Sequence, residues 1–315
     1  MTQLADDRPT VRSRAGVGGG LLLAVVSATS FGLSGSLATG LLATGWSPGA
    51  IVLCRIAIAA LALAPLTIAA LRGRWRLLRA QAGQIIVYGV LAVAGAQFCY
   101  FSAVATMDVA PALLIEYTAP AAVVAWLWIR RGQRPSPLTI GGAVLAAAGL
   151  VLVLDLFSGA HLAWSGVAWS LGAMVGCTVY FLMSADTETG LPPLALAGAG
   201  LTVGAAALGA LALVGLLPMH GNTLPAQYAP GTTPWWVPLA LLGLVTAALS
   251  YATGIAATRR LGSRVASFVS LLEVVAAVVF SWLLADQLPG WAQAAGGVLI
   301  IAGVIFVRLG DREPA

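Results

Sequence analysis

Apolar runs of about 20 residues, each closed by a short polar turn, repeat along the whole chain, and that length matches the hydrocarbon thickness of a bilayer. Ten such runs are read at 17–41, 50–71, 84–105, 110–129, 138–154, 164–184, 194–217, 235–258, 263–285 and 290–308. The shortest turns, after the third and ninth runs, are marked chiefly by Asp108 and by Asp286, Pro289 and Gly290. The pattern predicts an all-α polytopic membrane protein with ten transmembrane helices.

Composition supports that class. Of 315 residues 60% are hydrophobic and 9% charged, against roughly 25% charged in an ordinary soluble chain. The net charge of +5 does not point to nucleic acid, because the arginines sit in short turns, where they report orientation. Arg8, Arg12 and Arg14, then Arg72 to Arg79, Arg130 to Arg134, Arg259 to Arg264, and finally Arg308 and Arg312 all fall on one side of a ten-span topology. By the positive-inside rule that side is the cytoplasm, with both termini there. The apolar segment beginning near Gly16 is read as an uncleaved first span, since it runs on to about Leu42 and many similar segments follow. Cys54, Cys99 and Cys177 lie within apolar runs without metal-ligand or CxxC spacing, so they read as packing residues. Trp46, Trp75, Trp164, Trp235, Trp236 and Trp291 stand near span ends, as an interfacial belt would.

The end of the first half repeats in the second. IGGAVLAAAGLVLVL at 140–154 matches AGGVLIIAGVIFV at 295–307, placing Gly142 over Gly296 and Gly149 over Gly303. The same register sets Ala119 over Glu273 and Pro120 over Val274. Five spans per half is an odd number, so the second half enters the membrane in the opposite sense, as an inverted repeat with its binding site expected at the interface. The expected division is 1–16 as a tail, 17–158 and 159–308 as the two five-helix repeats, and 309–315 as a second tail. Gly32, Ser36 and Gly40 in span 1, and Gly172 and Gly176 in span 6, give four-residue spacings that let helices approach closely in lipid. Span 1 is also rich in hydroxyls, which serve either helix–helix hydrogen bonds or a polar path.

Three ionisable side chains lie well inside spans: Arg55, Glu116 and Glu273. Insertion scales charge about 2.5 to 3.5 kcal/mol for such residues, so each is a candidate for substrate binding or coupling. Arg55 and Glu116 both sit roughly 8 to 9 Å below the outer surface at 1.5 Å per residue, and equal depth makes them candidate partners. Glu273, roughly 15 to 20 Å from either surface on the same arithmetic, is near the midplane. Tyr117, Thr118 and Pro120 follow Glu116 and offer hydroxyls beside a break in the backbone ladder. Gln97, Tyr100, Tyr180, Ser250 and Tyr251 join Tyr117 as candidate cavity-lining residues, while His161 and His220 fall in outside loops.

The residues WSPGAIVLCRIAIAALALAPL at 46–66, EYTAP at 116–120, and LLEVVAAVVFSWLLADQLPGWAQAAGGVLIIAGV at 271–304 resemble the EamA-like transporters of the drug/metabolite transporter superfamily. The resemblance covers nearly the whole chain. It implies a ten-span secondary exporter of amino acids, related metabolites or drugs, working by alternating access, with Arg55, Glu116 and Glu273 around a central cavity. The chain departs from the family pattern at Val274, where a proline commonly follows the span 9 acid, and at Gln133 and Asp286, where Glu often ends spans 4 and 9. Two acids inside the spans make proton coupling a candidate mechanism. No GxxxxGK[ST] loop is present to hydrolyse ATP, and no cofactor is expected. The expected partners are a small-molecule substrate and the bilayer, with the protein a monomer or a weak homo-oligomer. The competing classes are an intramembrane or lipid-modifying enzyme, which needs a clustered nucleophile and base, and a structural or sensory membrane protein.

Overall fold

The computed structural model describes residues 14–107, 109–155, 163–286 and 288–311. Ten membrane helices follow in order: α1 (Arg14–Leu42), α2 (Pro48–Leu71), α3 (Ala82–Val104), α4 in two pieces (Val109–Glu116 and Ala119–Arg131) and α5 (Pro137–Val153). The second half supplies α6 (Trp164–Ala185), α7 (Pro193–Leu213), α8 (Trp236–Leu261), α9 in two pieces (Ser263–Val269 and Leu272–Ala285) and α10 (Trp291–Gly310). Among the described residues, nine helices are long and apolar enough to cross a membrane, and α5, at 17 residues, is a shorter apolar tenth. The chain is a multi-pass all-α membrane protein. Asp108 and His161 lie outside the described residues.

Several ends follow from single residues. Ser47 accepts from the Ala50 N–H and precedes Pro48, and Ser136 accepts from the Thr139 N–H and precedes Pro137; each serine satisfies one of the donors a helix start leaves unpaired, and each proline presets φ. Asp286 ends α9 in the left-handed region at φ 55°, a conformation that a short acidic side chain tolerates. The expected seventh span extends to residue 217, but α7 stops at Leu213, and Gly215 at φ +76° turns the chain out.

The helices pair as an inverted repeat requires. The pair α1 with α8 has its counterpart in α6 with α3, and α1 with α9 in α6 with α4, while α2 meets α7 and α5 meets α10 across the symmetry element itself. At the last crossing, an added Cβ on Gly142 would lie 2.6 Å from the Gly303 carbonyl oxygen, and one on Gly296 would lie 2.6 Å from that of Gly149. The sequence repeat equates Gly142 with Gly296 and Gly149 with Gly303, so each contact is the image of the other. Irregularities repeat too. α3 widens into a π-helical stretch at Tyr88–Gly95 and α8 does so at Leu244–Leu249, while α4 breaks at Tyr117–Thr118 and α9 at Ser270–Leu271.

The arginine-bearing face is closed. Arg259 donates to the Leu191 carbonyl, Gln84 to Asp186 Oδ2 at 3.4 Å, and Arg264 to the Gln133 carbonyl at 3.2 Å, with an Arg264–Asp311 ion pair at 3.3 Å. On the opposite face the α7–α8 connection is a stitched lid. It contains the hairpin β1 (Ala226–Tyr228) and β2 (Gly231–Thr233), which the apolar pattern does not announce. Trp46 stacks on Trp235 with centroids 6.0 Å apart, so these two belong to the lid, whereas Trp75, Trp164, Trp236 and Trp291 project outward as a belt does. The exposed His220 lends only its backbone to this lid, its N–H donating to Ser47 Oγ at 2.9 Å. Tyr228 lies on Gly40 and donates to the Leu37 carbonyl at 2.7 Å. Tyr228→Phe removes that donor alone and is expected to cost about 1 kcal/mol. A thermal melt in detergent indistinguishable from wild type would show the lid to be held elsewhere.

Candidate functional site

Both helix breaks have a local cause. In α4, Pro120 has no N–H to offer the Glu116 carbonyl, and Thr118 turns its hydroxyl back onto the Ile115 carbonyl at 2.6 Å. In α9 the position matching Pro120 is Val274, yet the ladder still opens. There Ser270 donates its hydroxyl to the Ser267 carbonyl at 2.7 Å, and the Glu273 N–H turns back to the Ser270 carbonyl at 2.9 Å. The loss of the proline seen in the sequence therefore leaves the break in place.

Between these breaks lies a cavity of about 510 Å³, within the range of small-molecule sites. Its wall includes all nine cavity candidates singled out from the sequence: Arg55, Gln97, Tyr100, Glu116, Tyr117, Tyr180, Ser250, Tyr251 and Glu273. It reaches from Thr258 and Ala266 to Leu42, Pro48, Val104 and Val109 at the helix ends opposite the arginine face. Both halves of the chain contribute.

The contacts inside it differ from the expected pairing. Arg55 does not meet Glu116. Its Nη2 donates to the Thr246 carbonyl at 2.8 Å, inside the π-helical stretch of α8, and Phe31 covers the guanidinium with 4.4 Å from Cζ to the ring centroid. A π-turn displaces carbonyls from the regular ladder, and Arg55 uses one of them. Equal depth fixes one coordinate of two side chains; the direction each helix presents them decides the rest, and α2 packs against α8.

Glu273 takes the partner that Glu116 lacks. The Tyr117 hydroxyl donates to Glu273 Oε1 at 2.7 Å, joining the break of α4 to the break of α9. α1 comes close enough to admit this arrangement because residue 32 is glycine: a Cβ there would stand 2.6 Å from the Glu273 carbonyl oxygen. Electrostatically, Arg55 acts on Glu273, and Glu273 in turn on Glu116. Among the described residues no hydrogen bond or ion pair reaches the Glu116 carboxylate.

Two features escaped the sequence. Phe31 over Arg55 and the Thr246 carbonyl leave no residue-level signal. The Ser27–Ser250 contact, with Ser27 Oγ donating to the Ser250 carbonyl at 2.8 Å, was foreshadowed by the hydroxyls of α1, several of which also line the cavity. Thus both roles considered for those hydroxyls occur on the same helix. Tyr180 meets Tyr251 edge-on at 5.6 Å and rests its hydroxyl against Gly254. Cys54, Cys99 and Cys177 are free thiols.

A family model for the EamA-like transporter family matches residues 18–155 and again 164–309. A solved structure described as "Crystal structure of protein" is similar with a TM-score of 0.72 at 24% identity, over 95% of this chain and 99% of that one, a likeness of fold. No curated protein matches the chain.

Proposed function

Because the chain belongs to the EamA-like transporter family, we propose that it is a secondary transporter that carries small organic solutes out of the cytoplasm by alternating access. The observation that carries this reading is the junction of the two broken helices: a cavity between the halves, with the Tyr117–Glu273 hydrogen bond tying one hinge to the other. Sites at the repeat interface built from interrupted helices suit a rocking mechanism, since a small rotation of one half changes which face reaches the site. Arg55, Gln97, Tyr100, Glu116, Tyr117, Tyr180, Tyr251 and Glu273 then bind substrate or couple its movement. Amino acids, related metabolites and drugs are the candidate cargo, and two acids in the wall favour coupling to protons.

In this reading the protein lies in a bacterial inner membrane with the arginine face and both termini in the cytoplasm, following the arginine bias of the turns. The units that rock are 17–158 and 159–308. In this reading the protein works as a monomer or a weak homo-oligomer, and both halves of one chain contribute to the cavity wall. The test is flux of radiolabelled amino acids and cationic drugs in reconstituted vesicles with an imposed pH gradient. Flux that the gradient accelerates is expected. If no solute moves the transport reading falls, and if flux ignores the gradient proton coupling falls.

A further inference from the structure

Resting on the transport reading of this cavity, we propose that it selects organic monocations with an aromatic or apolar body, and that Glu116 is the group that recognises their charge. The argument is one of unequal partners. Three side chains in the wall can carry a formal charge as acid or base: Arg55, Glu116 and Glu273. Arg55 and Glu273 answer one another electrostatically, and each has further local contacts: Arg55 has the Thr246 carbonyl at 2.8 Å and the ring of Phe31, and Glu273 has the Tyr117 hydroxyl at 2.7 Å. Glu116 has no such contact among the described residues, and it stands where α4 breaks off, on the cavity wall. A carboxylate in low dielectric without a counter-charge is costly, and a ligand cation supplies what the protein does not.

The wall around it suits such a ligand. Phe31, Tyr100, Tyr117, Tyr180 and Tyr251 all border the cavity, and aromatic faces attract ammonium and guanidinium groups that have left water. A zwitterion fits less well. Its carboxylate would have to engage Arg55, which is 5% exposed, already donates to the Thr246 carbonyl, and is covered on one face by Phe31. An anion would meet two acids and that same sheltered guanidinium.

Three probes share a benzyl body and differ in charge: phenethylamine, phenylalanine and phenylacetate. Equilibrium binding to the purified full-length protein in detergent is expected to rank the amine first. Glu116→Gln is expected to weaken amine binding by about ten-fold or more, the loss of one charge-assisted contact, and Glu116→Asp to retain part of it. An unchanged elution profile would show that both variants fold. Equal or tighter binding of phenylalanine or phenylacetate, no binding of the amine, or amine binding unaltered in Glu116→Gln overturns the proposal. Vesicle flux of the same probes separates it from the reading it rests on. Phenylalanine that moves while the amine neither binds nor moves leaves the transporter and removes the cation site. An amine that binds with the expected ranking while no solute crosses leaves the cation site and removes transport.

Discussion

Glu273→Gln is expected to reduce gradient-driven flux in reconstituted vesicles by about 10- to 100-fold, since a hydrogen bond to a charged group contributes about 1.5–3 kcal/mol and each 1.4 kcal/mol is a factor of ten. The reason is position. Glu273 stands just past the break in α9, accepts from Tyr117 just past the first piece of α4, and shares its backbone carbonyl region with Gly32 of α1. Any rocking of one half against the other has to make and break that contact. Tyr117→Phe removes that hydrogen bond outright and leaves the charge in place, whereas Glu273→Gln removes the charge and keeps an amide oxygen that can accept from Tyr117. If the bond is what matters, Tyr117→Phe falls at least as far as Glu273→Gln and the double variant is no worse than Tyr117→Phe alone. If the charge matters by itself, Tyr117→Phe retains most of its flux. Initial rates at matched protein density decide between them, and wild-type rates in all three would reduce Glu273 and Tyr117 to structural residues.

Depth and direction explain how much of this was legible beforehand. Apolar run length and the arginine turns set the helices and their order, because burying backbone in lipid leaves few alternatives to a full helix. The same rule made Arg55, Glu116 and Glu273 conspicuous, and all three reach one cavity. Their partners were another matter. Arg55 and Glu116 share a depth, yet Arg55 turns to Thr246, on a helix of the other half, 191 residues away in sequence. Nothing in Leu244–Leu249 distinguishes a π-turn from an ordinary one, since the run is apolar apart from Thr246. The asymmetry of the acids, by contrast, followed from the register, which sets Glu116 over Ser270 rather than over Glu273. Ser270 proves to be the residue at which α9 breaks. The hairpin at Ala226–Thr233 left a weaker trace in Pro230 and Gly231, turn residues within a loop otherwise read only as a connection.

The crossing of α5 and α10 offers the sharpest stability contrast, because adjacent glycines there face opposite surroundings. Gly142 is buried, and an added Cβ would stand 2.6 Å from the Gly303 carbonyl oxygen and 2.8 Å from the Val307 nitrogen; Gly141 is exposed, with nothing within 4 Å. Gly142→Ala therefore forces two backbones apart and is expected to cost about 1–3 kcal/mol, as overpacking does. Gly141→Ala is expected to be neutral or to stabilise by up to about 1 kcal/mol, the difference in helix propensity. Gly296→Ala should match Gly142→Ala, because its Cβ meets the Gly149 carbonyl oxygen at the same 2.6 Å. Coupling follows from the same geometry. Gly142→Ala combined with Gly303→Ala should cost less than the sum, since the first substitution already opens the gap the second needs. Gly142→Ala combined with Gly296→Ala acts at two separate contacts and should come closer to additivity. Thermal unfolding of the purified variants in one detergent reads all of these. Equal melting temperatures for the Gly141 and Gly142 variants would remove close backbone approach as the reason this crossing is glycine-rich.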